Sequence, residues 1–550
     1  MNLISFFIPS NLWMFICVHL KKRSSNMRNL FIIAFLILGS QLFAQKMSLS
    51  IGPEMKADKD VSFWGHLHHD ASGHYVLQTE SDGTTFLSRD KHAPVLQKFD
   101  QKFKLLSSKP LIAKLDDASF GNCFYAKNKF LLCSNQYNSK EKTLSFHAAT
   151  VSMKGEVGNS KQLAQIQWEH KDDEPKKVDW SMSEDTTKLL VASYADNDDN
   201  DLKTQVSFIV HDHNLEKLWG KNFTLPYSQE QFSFENWTLA NDGQVYLLAK
   251  IYDEFNNKES KRENGKRKPA YKLVIFRFDP DSAKPYEIRM NLRDKYVTDI
   301  TFQLSPEGDL SCAGFYSNDQ KGVIQGVFFS RISAQSGQAL TVNLKAFTAA
   351  DLALFDTDTD KNGDEGLSKE FRFDRIVLRD DGGAVVTAEQ AYSITTTYRN
   401  GMYWVSRTTY YNNEICVTSI SPTGEIDWVR TIPKKQVMAE TDIFSGYTMM
   451  VSGSNLYFLY NDDEDNLKNP LTVRAKRISS FNDAVATVVA IGSDGQMTRN
   501  LAFEIKEDTN KGLIVARHCK QTDPNEMFFL TTRYQLFSRP RFLMGSLKVD

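Results

Sequence analysis

Apolar and polar positions in this chain alternate in short runs, and eight times an apolar run that reaches a tight turn is answered at once by a second. The second runs are HYVLQTE from His74, FLLCSN from Phe130, LLVASY from Leu189, VYLLAKIY from Val245, LSCAGFY from Leu310, AVVTAEQAY from Ala384, LYFLY from Leu456 and MFFLTTRY from Met527. Several of the intervening turns carry Gly or Asx, residues that accept positive φ or bond their own backbone: DASG at Asp70, NDG at Asn241, SPEG at Ser305 and DDGG at Asp380. Most units add a second hairpin of the same style, such as FHAATVSMKGEVGNSKQL from Phe146 and ICVTSISPTGEIDWVRTI from Ile415. Period-two alternation over short runs predicts strands, and no segment of helical period is long enough to compete.

Each repeat therefore predicts four antiparallel strands, a to d, and repeated four-stranded units are the blades of a β-propeller. The expected fold class is all-β: a single β-propeller with eight blades as the first count and seven as the alternative, because blade 1 is blurred between Thr85 and Pro110. The last unit lacks its outer strand. KMSLSIG, Lys46 to Gly52, is expected to supply it, so that strands from both termini close the ring and leave no open edge.

Antiparallel order puts all a–b and c–d turns on one side and all b–c and d–a connections on the other. The long segments at Ala195 to Asp201, Asp253 to Tyr271 and Asn461 to Asn482 are b–c connections, and Ala349 to Glu370 is a d–a connection. Departures from minimal loop length on a rigid scaffold mark where binding tends to reside, whereas neutral drift would not favour one side. In blade 6 the b–c hairpin is too long for its blade. It turns at Asn400-Gly401, and its excess carries Tyr392, Tyr398, Tyr403, Trp404, Tyr410 and Tyr411. These aromatics are the candidate binding residues for a protein or a glycan. The alternative is a ribbon that folds over and plugs the channel.

Composition and charge narrow the picture. With 41% hydrophobic and 24% charged residues the chain can bury a large core, and a net charge of −2 gives no global attraction to nucleic acid or anionic membrane. Met27-Arg28 opens a segment whose apolar run, Leu30 to Leu38, is short for a membrane span and ends at Phe43-Ala44-Gln45. Residues 1–44 are expected to be leader and signal peptide, with Met27 the true start, and 45–550 the propeller. The Ala-Gln junction resembles signal peptides of Bacteroidota, although Leu42 is large for its place before the cut. Leu12 to Leu20 and Leu30 to Leu42 as two membrane helices is the rival reading. No integral membrane span is expected after signal removal.

Other chemistry is sparse. Asp356, Asp358, Asp360, Asn362 and Asp364, with Gly363, place oxygen ligands at the spacing of a calcium loop, so calcium is the candidate cofactor; Lys369 stands where the bidentate acid belongs, and a solvated acidic connector is the alternative. HLHHD at His66 to Asp70 is similar to the HxHxDH zinc motif of metallo-β-lactamase-like hydrolases, with Ala71 in place of the last His. SDGTTF at Ser81 lacks the spacers of the Asp-box. Cys123 and Cys133 are equidistant from Asn128, which would put them opposite each other as a disulfide in an exported protein. Cys312, Cys416 and Cys519 read as small buried hydrophobes, and the basic run Lys261 to Lys268 as a hydrated loop tip. There is no GxSxG, HExxH, P-loop or CxxC.

The segments DEGLSKEFRFDRIVLRDDGGAVVTAEQAY, YYNNEICVTSISPTGEIDWVRTIPKKQ and LYFLYND, within residues 364–460, resemble uncharacterised secreted propeller-type proteins of Bacteroidota. The resemblance implies an exported propeller and carries no activity. Two functions remain: an exported, non-enzymatic binding or scaffold protein that grips a protein or glycan with its long-loop face, or a polysaccharide- or peptide-acting hydrolase or lyase with acids at the central channel. The expected location is the periplasm, the outer-membrane surface or the exterior.

Overall fold

The computed structural model describes residues 47–56, 61–80, 94–112, 118–168, 175–195, 203–253, 259–263, 266–290, 292, 294–305, 308–333, 335–401, 403–478, 483–505, 511–533 and 541–549. The leader expected at 1–44 and the SDGTTF segment lie outside them. Two compact units are separable, Met1–Ser48 with Lys548–Asp550 and Leu49–Leu547, and the packing described here is that of the second.

The chain is a β-propeller. Among the described residues there are eight antiparallel sheets of four or more strands, and the second strand of each is the apolar run that stands out in the sequence. Sheet 1 orders Val61–Asp70, Gly73–Glu80, Val95–Phe99 and Leu105–Pro110 side by side; sheet 2 does the same with Ala118–Tyr125, Lys129–Asn138, Thr143–Ser152 and Lys161–Gln167. The first strands of sheets 3 to 7 are Pro175–Met182, Phe232–Leu239, Tyr296–Leu304, Phe371–Leu378 and Thr448–Ser452, and sheet 8 holds Leu513–Ile514, Lys520–Asp523, Glu526–Arg533 and Arg541–Val549. Second strands read as unbroken apolar runs because both of their faces are covered. All of Leu310–Ser317 is buried, whereas the outer strand Tyr286–Met290 alternates between exposed and buried.

Each sheet packs on the next through its own hydrophobic cluster. Tyr75 and Leu77 of sheet 1 meet Phe130 and Leu132 of sheet 2, Cys133 and Phe146 meet Trp180 and Leu189 of sheet 3, and the series continues to Val417 against Phe458 between sheets 6 and 7. Sheets 7 and 8 join through the Phe503–Phe529 rings, 5.3 Å apart, and through Gln521, whose amide bonds both the N–H and the C=O of Val451 at 3.0 and 2.8 Å. Phe528, Leu530 and Met544 of sheet 8 then pack on Val76, Phe99 and Phe103 of sheet 1. Met47–Ile51 and Met55–Lys56 pair with Arg541–Val549, and Gly52 N–H donates to Met544 O at 2.9 Å.

The Cys123–Cys133 disulfide is corrected by the register. Ala126 and Lys129 bond each other across a two-residue turn in which Lys127 and Asn128 take φ of 46° and 66°, so the hairpin pivots between those residues and not on Asn128. Cys123 pairs with Leu132, and Cys133 with Asn122. A one-residue slip reverses the face of a side chain. Cys123 consequently packs toward sheet 1 and Cys133 toward sheet 3, and both are free, buried thiols.

Candidate binding ribbon and channel

Antiparallel order puts the b–c connection of the sixth sheet on the same side as the described d–a connection Ala349 to Glu370. In sheet 6 the second and third strands are Ala384–Asn400 and Tyr403–Ile420, far longer than the eight-residue first strand Phe371–Leu378, and they project as a ribbon. Their register pairs Asn400 with Tyr403, which sets the pivot one residue beyond that of the expected Asn400-Gly401 turn. Gly401, with φ of 63°, takes the positive-φ position of this tip.

The six candidate aromatics do not share a face. Tyr392 pairs with Tyr411, Tyr398 with Val405 and Asn400 with Tyr403, so alternation puts Tyr392, Ile394, Tyr398, Tyr403, Val405 and Tyr411 on one side. Trp404 and Tyr410 lie on the other, beside a hydroxyl ladder in which Thr395 meets Thr408 and Thr397 meets Ser406, each at 2.9 Å. Tyr392 and Tyr411 stack at 4.6 Å near the ribbon base. At the tip Tyr403 is 76% exposed and Trp404 73% exposed, so neither ring plugs a channel.

A buried polar network holds the base of this ribbon. Lys434, with no side-chain exposure, places Nζ 2.8 Å from Glu389 Oε1 and donates to Asn412 O at 2.6 Å and Gln436 Oε1 at 3.1 Å. Asn412 in turn donates to Glu389 Oε2 at 2.7 Å. Gln436 donates to Asn461 O at 2.9 Å, and Asn461 bonds Ile514 of sheet 8 through both its N–H and its C=O, which carries the network through sheet 7. Burial pulls the Lys434 pKa down, with the Glu389 charge opposing that pull. Burial likewise pushes Asp462, next to Asn461, up to about 6. Sequence reasoning passed over these residues, because Lys434, Glu389 and Asp462 read as ordinary surface charges until the neighbouring sheet covers them.

The Asp-rich segment forms a short hairpin of Thr357–Thr359 and Glu365–Leu367. Asp360 Oδ1 accepts the turn amides of Asn362 and Asp364 at 2.8 and 3.0 Å, and Asp356 accepts from Arg474 at 2.8 Å, joining this insertion to that of sheet 7. Asn362 Nδ2 also donates to Asp360 Oδ2 at 3.5 Å, and among the described residues no group of three or more His, Cys, Asp or Glu side chains converges as a metal site. The basic run is a hairpin, Ser260–Glu263 with Lys266–Pro269, in which Lys261 pairs with Asp253 at 2.6 Å and Lys268 with Asp294 at 3.1 Å.

On the inner strands an Asx residue recurs that the sequence carried as an unread signal. Asn122, Asp179 and Asp299 each accept the amide of the following residue, at 2.8, 2.9 and 2.9 Å. Asp179 also accepts from Trp237 Nε1 of the next sheet at 3.2 Å, and Asp299 from Phe373 N at 2.7 Å. Asp179 and Asp299 thus lace adjacent sheets. Burial raises the pKa of Asp299 and of Glu235 on the neighbouring inner strand.

The histidine cluster splits by a bulge. Irregular register between His66 and His68 leaves His66 opposite Val76, packed on Phe528 of sheet 8, and His68 opposite Tyr75, stacked on Tyr125 of sheet 2. This strand borders a cleft of about 420 Å³ on the tight-turn side, and a second cleft of about 720 Å³ opens nearby between the turns of sheets 3 to 5. A third cleft, of about 340 Å³, lies on the other side, against the insertion Asp253 to Tyr271, lined by Lys261, Lys268, Tyr271, Arg289 and Lys295.

No family model matches the sequence, and no curated protein matches it. Similar solved structures include the WD40 domain of SCAP from fission yeast, at 8% identity over 91% of this chain and 98% of that one, with a TM-score of 0.35. The β-propeller domain of the Trilobed protease from Pyrococcus furiosus is 10% identical over 80% and 96%, TM-score 0.32, and an ulvan lyase of polysaccharide lyase family PL25 is 8% identical over 82% and 96%, TM-score 0.35. None of these distant likenesses carries an activity to this chain.

Proposed function

We propose that this chain is an exported, non-enzymatic binding or scaffold propeller of eight blades, closed by its N-terminal strand, which engages a protein or glycan through the ribbon 392–411 on its long-loop side. Export rests on the leader-like sequence at 1–44; the periplasm, outer-membrane surface and exterior are its destinations. Eight sheets that each pack on the next, the last on the first, support the closed ring. The observation that carries the binding reading is the exposure of Tyr403 and Trp404 at the end of a ribbon whose base is tied down by buried charge. Exposed aromatic rings on a preorganised element give contact area at low entropic cost.

The hydrolase or lyase reading needs a carboxylate pair with free oxygens at the channel. Glu235 and Asp299 have raised pKa values there, but both oxygens of Asp299 are held by the amides of Ile300 and Phe373, which suits lacing of blades better than proton transfer. Affinity capture from the native envelope tests the binding reading: the Tyr403→Ser/Trp404→Ser protein should lose a stoichiometric partner with its melting temperature unchanged. Undiminished capture by that variant, or a large drop in melting temperature, would sink it.

A further inference from the structure

The ribbon of sheet 6 has one edge that the chain largely covers and one that it leaves open. On the Tyr403–Ile420 side the short strand Gln436–Ala439 pairs with Thr409 to Asn412, and Glu440 N–H donates to Thr408 O at 2.8 Å. On the Ala384–Asn400 side the first strand of the sheet stops pairing at Gln390, and a last bond runs from Ala391 N–H to Glu370 O at 3.0 Å. From Ser393 to Arg399 the strand is exposed, and among the described residues no backbone group bonds its outer edge.

The direction of that edge's backbone groups follows from two kinds of contact. Ala391 N–H points outward to Glu370, so by period two the N–H and C=O of Ser393, Thr395, Thr397 and Arg399 point outward as well. The hydroxyl contacts Thr395–Thr408 and Thr397–Ser406, each at 2.9 Å, agree, because opposed side chains come closest in the pairs that exchange no backbone bond. No register shift interrupts the row between Ala391 and Asn400. Its sequence, SITTTYR, lacks the Pro, Lys and acidic residues by which edge strands are kept from pairing, and Arg399 is its one charge.

We propose that this edge pairs with the same edge of a second copy of the chain, antiparallel about a two-fold axis at Thr396, so that two ribbons join into one sheet. The row is self-complementary in that register. Ser393 falls opposite Arg399 and Thr395 opposite Thr397, so each outward N–H and C=O meets its counterpart. Between them Ile394 falls opposite Tyr398, a β-branched residue against an aromatic ring, which is a favourable cross-strand pair. Arg399 faces a serine and not its own copy, so no like charges are opposed. A two-fold contact uses the same edge in both copies and closes at two, without propagating into a fibre. The contact is short, so the dimer is expected at micromolar concentration. The proposal rests on the reading of the ribbon as a contact element, but it uses the ribbon's edge and not the rings at its tip.

Sedimentation velocity of the purified chain from nanomolar to high micromolar concentration tests this, and the parent should pass from monomer to dimer. Thr395→Lys/Thr397→Lys opposes like charges twice across the axis and should weaken the dimer at least about tenfold. Thr395→Lys/Thr397→Glu sets opposite charges across the same pairs and should restore it. Both double variants lose the same hydroxyl contacts, so they should share one melting temperature, and their difference in dimerisation reports the pairing alone. A dimer that the two lysines leave intact, or one that the lysine–glutamate variant does not restore, would overturn the proposal. So would a monomer at every concentration; an envelope partner captured by that parent and lost with the two lysines would then assign the edge to a foreign strand. The Tyr403→Ser/Trp404→Ser protein should dimerise as the parent does, which separates failure at the edge from failure at the tip.

Discussion

Lys434 Nζ lies 2.8 Å from Glu389 Oε1, with the lysine side chain fully buried where the projecting ribbon of sheet 6 leaves the body of the propeller. The pair fastens the strand Ala384–Asn400 to the segment that leads into sheet 7. Removing one partner strands a charge in a poorly solvated place, whereas removing both does not.

Lys434→Met is therefore expected to destabilise the protein by about 3–5 kcal/mol. The double variant Lys434→Met/Glu389→Met should recover much of that loss. Urea unfolding of the three proteins measures the difference; equal stability of single variant and parent would show that the pair is not a net constraint.

Asp462 supplies a pH test with a definite sign. Its carboxyl is raised from 3.8 to about 6 by burial, so between those values the folded state keeps a proton that the unfolded chain has released. Stability from this group falls as pH rises through that window and is fully lost above it. Asp462→Asn keeps the acceptor for Asn466, which donates to Oδ1 at 2.6 Å, and replaces Oδ2, a buried atom without a hydrogen-bond partner among the described residues. It should stabilise the protein at pH 7 by on the order of 2–3 kcal/mol and leave it nearly unchanged at pH 4. His66, held well below its usual pKa by burial, acts with the opposite sign and costs stability on acidification, but it contributes equally to parent and variant. A difference between the two proteins that does not vary from pH 4 to 7 would contradict the assignment.

The terminal strands give a third test. Gly52 bonds Met544, Met55 pairs with Phe542, and Glu54 meets Arg533 and Arg541 at 3.1 and 2.7 Å. Deleting Lys46 to Pro53 uncovers the ladder edge of Arg541–Val549 and should lower the melting temperature of the whole propeller. An unchanged transition would argue against closure by this strand.

The cysteines give a fourth. Cys123 and Cys133 face different neighbouring sheets, and burial pushes the Cys123 thiol up to about 12. Reductant should leave the melting temperature unchanged, and thiol titration of the denatured protein should find both groups free. A fall in melting temperature with reductant would restore the disulfide.

Two register errors of similar size had different consequences. Around Asn128 the pivot moved by half a residue, so the pairing of Cys123 changed from position 133 to Leu132 and the two thiols parted to opposite faces. At the ribbon tip the pivot moved by a full residue, so that Asn400 pairs with Tyr403, which changes partners by two positions and preserves faces. Even so, the sequence listing of six aromatics concealed their division, since alternation across the ribbon assigns Trp404 and Tyr410 to the side away from Tyr398 and Tyr403.

The repeat was readable because strands such as Leu310–Ser317 are covered on both faces and must be apolar throughout, and because antiparallel order alone puts b–c and d–a connections on one side. Contacts between sheets were not readable. Lys434 meets Glu389 only when segments far apart in the chain are brought side by side, and a charge gives no sign in sequence of whether a neighbouring sheet will cover it. Local alternation thus determined the strands and their connections, while packing between blades decided which charges are buried, which aromatics share a face and where the clefts open.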